Sequence, residues 1–277
     1  MYLNGNQLKA IQQVELEMLI EIDRICRKNK IPYTLDSGTL LGAVRSKGFI
    51  PWDDDADIVM TRDAYELFFE ACKTQLDTKR FFLQDYRTDL EYRWGYPKMR
   101  RNDSLLIRED QTMLPWHQGI FVDIFVYDNV PDNWLLRRVH LLFCYIIRKM
   151  QYAVVGKENA RNHLLRKWYA ILMKIPRNLL FYWLEKVYVL CNRQPTRLKR
   201  HMTYSYRKKC RFGLPSQCFE EQIDLEFEGC KFQCSREYDI YLSVLYDDYM
   251  TPLPEGKRNH TAYKKLKLPS PGGGKQS

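Results

Sequence analysis

Four carboxylates fall within five positions, Asp53, Asp54, Asp55 and Asp57, and the apolar run Ile58–Met60 follows at once. Like charges this close repel and resist joint ionisation, so a fold keeps such a stretch where something positive neutralises it. Alternate side chains of a strand share a face. A strand over "DADIVM" would therefore point Asp55 and Asp57 the same way, with Asp53 at its edge on that face and Asp54 opposite. Paired carboxylates of this kind suit hard, oxygen-preferring cations such as Mg2+ or Mn2+. Two such ions can clamp a phosphate and its leaving group. A further acid, Asp123, sits inside the apolar pattern "IFVDIFV", where a bare carboxylate is costly. It is the natural third ligand; the competing reading has it capping a turn or pairing with an arginine. For Asp53–Asp57 the competing reading is a solvated acidic loop.

The surrounding pattern alternates helix and strand. Residues 6–29 predict an amphipathic helix with Leu8, Ile11, Val14, Met18, Ile22 and Ile25 inward and Lys9, Glu15, Glu17 and Glu21 on the polar side. "IPYTLD" predicts a short strand, "SGTLLGAVR" a strand-to-helix turn, and "SKGFIPW" a loop. "TRDAYELFFEACKTQL" predicts a helix capped by Thr61. Strands are expected over "RFFLQDY", "WGYPKMRRND" and "QGIFVDIFVYDNVP". After Phe212, "QIDLEFEGCKFQC" predicts a hairpin turning at Glu228–Gly229, and "SREYDIYLSVLYDDYM" a helix capped by Ser235. The expected class is α/β (α+β), a mixed sheet flanked by helices. Its parts are a core over 1–133, a basic aromatic helical insertion over 134–211, a C-terminal part over 212–268 that completes the domain, and a tail over 269–277 expected to be disordered.

Charge is uneven. The chain carries a net +10, yet Trp134–Arg211 holds 19 Lys and Arg against 2 Asp and Glu, so this one segment calls for an anionic partner. Its helical stretches are rich in Trp, Tyr, Phe and Leu but lack the ~20 uninterrupted apolar residues of a spanning helix. Two readings stand: helices lying on an anionic membrane surface, or a basic helical subdomain around its own core. No nucleic-acid motif accompanies the charge, and nucleic acid is not an expected partner. The polar N-terminus has no apolar leader, so the 8 cysteines are expected to be reduced rather than paired. Cys210, Cys218, Cys230 and Cys234 follow no standard zinc-ligand spacing, which favours buried thiols over a zinc site.

"IPYTLDSGTLLGAVRSKGFIPWDDDADIVM" closely resembles the signature of the LicD family of phosphotransferases, which is similar to the nucleotidyltransferase superfamily. "YPKMRR" resembles the family's basic strand, "GIFVDIFVYDNVP" its second acidic strand, and "FEGCKFQCSREYDIYLSVLYDDYMTPLPEGKR" its C-terminal block, so the likeness spans roughly Leu8 to Arg258. The gap from Gly38 to Asp55 is longer than in many nucleotidyltransferases, and Asp247 stands where relatives often carry glycine. The resemblance implies a metal-binding pair in Asp55 and Asp57, a third acid in Asp123, and a phosphate-admitting turn at Gly38 and Thr39. Lys98, Arg45 and Arg100 are candidates to hold donor phosphates, with Arg45 equally readable as a surface charge. The implied reaction moves a phosphorylated alcohol, such as phosphocholine or ribitol phosphate, from a CDP-activated donor to a glycan hydroxyl. CMP is released, and Mg2+ is the implied cofactor, with Mn2+ as a substitute. Asp123 is also a candidate base for the acceptor hydroxyl. The acceptor is expected to be lipid-linked, and the protein cytoplasmic at the inner face of the cell membrane. The competing enzyme class is a nucleotidyltransferase that attaches the nucleotide itself to a small molecule or protein.

Overall fold

The computed structural model describes residues 1–206, 210–252, 254 and 261–270. Most of the expected tail, from 271 onward, and positions 253 and 255–258 of the C-terminal block lie outside the described residues.

Helix α1 (Gly5–Lys28) starts at Asn4, whose side chain accepts from the Gln7 N–H while the Gln7 side chain reaches back to the Asn4 N–H. It buries Ile11, Met18, Ile22 and Ile25 as the spacing predicts. It also buries Glu15 and Glu21, which the spacing had placed on the polar side. β1 (Thr34–Leu35) is shorter than expected and leads through Asp36 into α2 (Ser37–Ser46). β2 (Ala56–Thr61) follows, then α3 (Arg62–Gln75), β3 (Phe81–Gln84), β4 (Lys98–Arg101), β5 (Leu105–Arg108) and β6 (Phe121–Val130). Thr61 is the residue before α3, but its side chain makes no capping bond.

β2 begins one residue later than the alternation required. Asp53, Asp54 and Asp55 therefore lie ahead of the strand, where the Asp53 N–H donates to the Ile50 carbonyl at 2.9 Å. That turn replaces the expected two-faced split of Asp53 and Asp54.

The sheet runs β1-β2-β6-β4-β3 and is mixed: β2 and β6 are parallel, the other pairs antiparallel. The parallel pair is joined by a crossover through α3, β3, β4 and β5. Registration sets Asp57 opposite Asp123, and Asp123 opposite Lys98. The three therefore stand in one row across β2, β6 and β4.

The basic region is helical but more broken than its sequence suggests. α4 (Trp134–Gln151), α5 (Ala153–Glu158), α6 (His163–Met173) and α7 (Arg177–Cys191) replace two long helices. The break between α6 and α7 comes at Pro176, which cannot continue a helix. β7 (Leu198–His201), within the span read as insertion, pairs with the second half of β6 and with β8 (Leu214–Pro215). The hairpin β9 (Gln222–Phe227) and β10 (Cys230–Ser235) turns at Glu228 and Gly229, both at positive φ (50° and 74°), as a tight hairpin needs. α8 (Tyr238–Tyr246) starts three residues after Ser235, whose Oγ accepts from the Glu237 N–H. It ends at Asp247 with φ 62°, a conformation that favours glycine. β11 (Tyr263–Lys267) was not anticipated and pairs with β5. No disulfide joins the cysteines among the described residues.

One core runs from α1 and α3 through both faces of the sheet to α8. A smaller one joins α4 to α7 through Cys144, Ile147, Leu180, Phe181 and Leu184. At its edge, burial and the nearby Arg200 push the His140 imidazole down to about 4. A histidine depressed in the folded state contributes stability that is lost as pH falls from its unfolded value toward its folded one. Wild type should therefore lose stability relative to His140→Leu between pH 6.5 and 4, by about 2–3 kcal/mol. Urea titrations of both proteins across that range measure the difference.

Candidate active site

The site is built on the row Asp57–Asp123–Lys98 and on the turn that precedes β2. The Thr39 hydroxyl, buried in the first turn of α2, accepts from the Asp57 N–H at 2.9 Å and fixes where β2 begins. Gly38 is required for a different reason: a Cβ there would collide with the Asp53 carboxylate. Gly38 and Thr39 thus shape the acidic turn directly. The Gln12 side chain of α1 donates to the Asp53 carbonyl at 2.9 Å, and the Tyr263 hydroxyl of β11 donates to Asp54 at 2.7 Å.

Each of Asp53, Asp54 and Asp55 offers a carboxylate oxygen within 4.8 Å of the others. Among the described residues this is the one group of three possible ligands so closely gathered. Asp57 and Asp123 stand beside it without completing such a triplet with Asp55, so the gathered oxygens differ from the expected set. Asp53 gains a central place that its position at a strand edge did not suggest. Asp123, buried in β6, is bound by the Lys98 ammonium, and Asp55 faces the Arg108 guanidinium at 3.4 Å.

The electrostatics report too little positive charge. Burial, then Asp55 and Asp54, push the Asp53 carboxyl up to about 8. Burial raises Asp55 to about 6, opposed by Arg108 and reinforced by Asp54 and Asp123. Asp57 is raised well above the ordinary range by burial, Asp55 and Asp123. Burial also lowers Lys98 to about 8 against the pull of Asp123. The clearest sign is Glu15. It is fully buried on α1, neither carboxylate oxygen has a hydrogen-bond partner, and after burial itself Asp55, Asp53 and Asp54 are what raise its pKa. Oxygen donors this crowded fit a hard divalent cation, with Asp53, Asp54 and Asp55 as the residues to hold it.

Beside the carboxylates lies a cavity of about 270 Å³ walled by Lys98, Arg100, Arg108, Arg148, Phe121, Tyr96, Trp94, Trp116 and Tyr152. Arg100 is anchored, donating to the Gln84 side chain at 2.8 Å and to the Gly119 carbonyl at 2.7 Å. A second cavity, also about 270 Å³, opens at the start of α2 between Asp36, Ser37, Phe125, Tyr127 and Tyr246. Tyr204 and Ser205 wall both cavities. Arg45 is elsewhere: it lies at the far end of α2 and donates to the Tyr249 carbonyl at 3.3 Å. The structure thus gathers Asp55, Asp57, Asp123, Lys98, Arg100, Gly38 and Thr39, and leaves Arg45 out. Sequence reasoning missed Glu15, Arg108 and Tyr263. Of these Glu15 left a signal, an acid at a core-facing helical position four residues from Ile11 and three from Met18. Cys210, Cys218, Cys230 and Cys234 do not bring their sulfur atoms together as a set of ligands.

A mixed sheet with acids on adjacent parallel strands and a cationic cavity beside them fits a nucleotidyltransferase-like transferase. The LicD/FKTN/FKRP nucleotidyltransferase-domain profile matches residues 30–143. The lipopolysaccharide cholinephosphotransferase LicD of Haemophilus influenzae is 29% identical over 262 residues, covering 90% of this chain and 93% of that protein. An uncharacterized protein of Rickettsia prowazekii is 29% identical over 119 residues, 43% of this chain and 40% of its own length. Both likenesses support a LicD-type transferase of phosphate-containing groups.

Glu15 offers a direct check on the charge imbalance. A carboxyl raised in the folded state costs more stability as pH rises. Glu15→Gln keeps the shape and removes the charge. In the absence of divalent cations it should stabilise the protein at pH 8 by about 1–3 kcal/mol, and by less at pH 5. Thermal melts at the two pH values measure this.

Proposed function

We propose that this protein transfers a phosphorylated alcohol from a CDP-activated donor to a glycan hydroxyl and releases CMP. One observation carries the reading: a cavity rich in fixed guanidinium and ammonium groups abuts a cluster of carboxylates that has too few counter-charges. A diphosphate donor with a bound cation satisfies both halves at once. The second cavity across Tyr204 and Ser205 provides room for an acceptor, as a two-substrate reaction needs.

Lys98 and Arg108 face the cavity while holding Asp123 and Asp55, so a phosphate there meets donors that are already oriented. Mg2+, or Mn2+ in its place, when bound at Asp53, Asp54 and Asp55 would neutralise charge on the donor phosphates. The acceptor oxygen attacks the distal phosphorus, the bond to the bridging oxygen breaks, and CMP leaves with that oxygen. Asp123 Oδ2, the oxygen that Lys98 does not engage, takes the hydroxyl proton. Positioning and charge stabilisation supply the rest of the rate.

Phosphocholine is the favoured group and lipopolysaccharide the favoured type of acceptor, by likeness to the Haemophilus relative. The cavity supports the first of these. Trp94 and Trp116 stand 5.6 Å apart on its wall, where aromatic faces can hold a quaternary ammonium.

Incubation with CDP-choline, a glycan acceptor and Mg2+ should release CMP. Asp55→Asn and Asp57→Asn should each lower turnover by about a hundredfold or more while leaving the fold intact; circular dichroism is the control. Asp53→Asn should cost nearly as much. Release of pyrophosphate from a nucleoside triphosphate, with no CMP from any CDP-alcohol, would instead favour transfer of the nucleotide itself.

A further inference from the structure

The insertion helices turn apolar faces outward. On α4, Leu135, Val139, Leu142 and Ile146 are exposed at helical spacing, opposite the buried stripe His140, Cys144, Ile147 and Gln151. On α6 the outward residues are Leu164, Trp168 and Ile171, and on α7 Leu179, Tyr182, Trp183, Val189 and Leu190. An ordinary surface helix shows the reverse arrangement, apolar inward and polar outward. Here large apolar side chains crowd the outward face, which in a monomer this size is rare. A groove of about 710 Å³ between α4 and α7, lined by Leu136, Val139, Phe143, Val187 and Leu190, joins the two stripes into one surface.

The charge around this surface says what covers it. Arg138, Arg166, Lys167, Lys174, Lys186 and Arg193 are all exposed on or beside the three helices. Guanidinium or ammonium groups lie over the exposed rings, Arg138 at 5.4 Å from Trp134 and Lys186 at 5.1 Å from Tyr182. A second copy would bring the same positive charge against itself. An anionic lipid surface accepts the basic groups at its headgroups and the Trp, Tyr and Leu side chains below them.

We propose that α4, α6 and α7 form a docking face for an anionic phospholipid bilayer, lying on it without crossing it. No helix among the described residues is long and apolar enough to span. The face stands on its own observations. Its consequence for catalysis rests on the function proposed above: Arg148, Gln151 and Tyr152, at the end of α4, line the cavity beside the carboxylates. Docking would hold that cavity next to the membrane, where a lipid-linked glycan presents its hydroxyl.

The full chain, without substrate, is sedimented with vesicles of phosphatidylglycerol and phosphatidylcholine and with vesicles of phosphatidylcholine alone. Binding to the anionic vesicles, weak binding to the neutral ones, and a blue shift of tryptophan fluorescence on binding are expected. Each basic group engaged is worth about fivefold in partitioning, so Arg138→Glu/Lys167→Glu should weaken low-salt binding by more than about tenfold. Leu142→Glu/Trp168→Glu/Val189→Glu should abolish the blue shift with an unchanged far-UV spectrum. Wild type left in the supernatant at low salt overturns the proposal. So does a lipid-free dimer that the apolar triple variant dissociates, or retention on DNA with no vesicle binding. Sedimentation is scored without turnover, so its failure leaves the transfer reaction untouched, and loss of transfer leaves the docking face standing.

Discussion

Everything at the catalytic end depends on the repulsion among carboxylates around the start of β2. Asp53, Asp54 and Asp55 have oxygens within 4.8 Å of one another. At that separation two like charges cost about 3–4 kcal/mol at the effective dielectric of a partly buried site. Arg108 contacts Asp55 and Lys98 contacts the neighbouring Asp123, while Glu15 adds a buried carboxyl whose oxygens have no hydrogen-bond partner. The backbone holds this arrangement from several directions. Thr39 binds the Asp57 N–H, Gln12 the Asp53 carbonyl and Tyr263 the Asp54 carboxylate. Those anchors come from α2, α1 and β11, three separate parts of the chain. A site that stores repulsion needs such bracing, and it gains affinity for a cation in proportion to the repulsion a cation relieves.

The sheet order turns that tension into a direction. Registration of β2 on β6 and of β6 on β4 places Asp57, Asp123 and Lys98 side by side. The field therefore passes from negative to positive across three strands, and Arg100 and Arg108 extend the positive side into the cavity. A ligand with a cation at one end of its phosphates and bare oxygens at the other fits that gradient in one orientation. Antiparallel pairing of β2 with β6 would turn the entry of β2 away from Asp123. The crossover through α3 thus matters to the chemistry as well as to the fold.

Much of this was legible in the sequence because local patterns decided it. The spacing of Ile11, Met18 and Ile22 gave α1, the Glu228–Gly229 pair gave the hairpin, and the lone acid in "IFVDIFV" gave Asp123 its place in a buried strand. What was not legible depended on long-range contacts. β5 and β11 form only by pairing with each other across more than a hundred residues, so neither Arg108 nor Tyr263 could be assigned to the site. The Asp53–Asp55 turn escaped because period-two alternation was carried through residues that precede the strand. Arg45 was drawn in by its closeness in sequence to Gly38, yet it stands roughly 10 Å along α2 from that residue, and donates instead to the Tyr249 carbonyl. Glu15 was readable in principle, since a charge on the buried stripe of a helix violates the rule that makes the helix recognisable.

The same rule, broken in the opposite sense, distinguishes the insertion. α1 hides a charge where apolar residues belong; α4, α6 and α7 display apolar residues where charges belong. Both departures carry a cost in the isolated chain, one in unpaired charge and one in hydrated apolar surface. Each cost falls away when a specific thing arrives, a cation in the first case and an apolar, anionic surface in the second. α4 connects them. Its outer stripe belongs to the exposed surface, its inner stripe packs on α7, and its last turn supplies Arg148 and Gln151 to the wall of the cavity. A shift of α4 on docking would therefore move the cavity wall directly, through one rigid helix, with no intervening loop to absorb the motion.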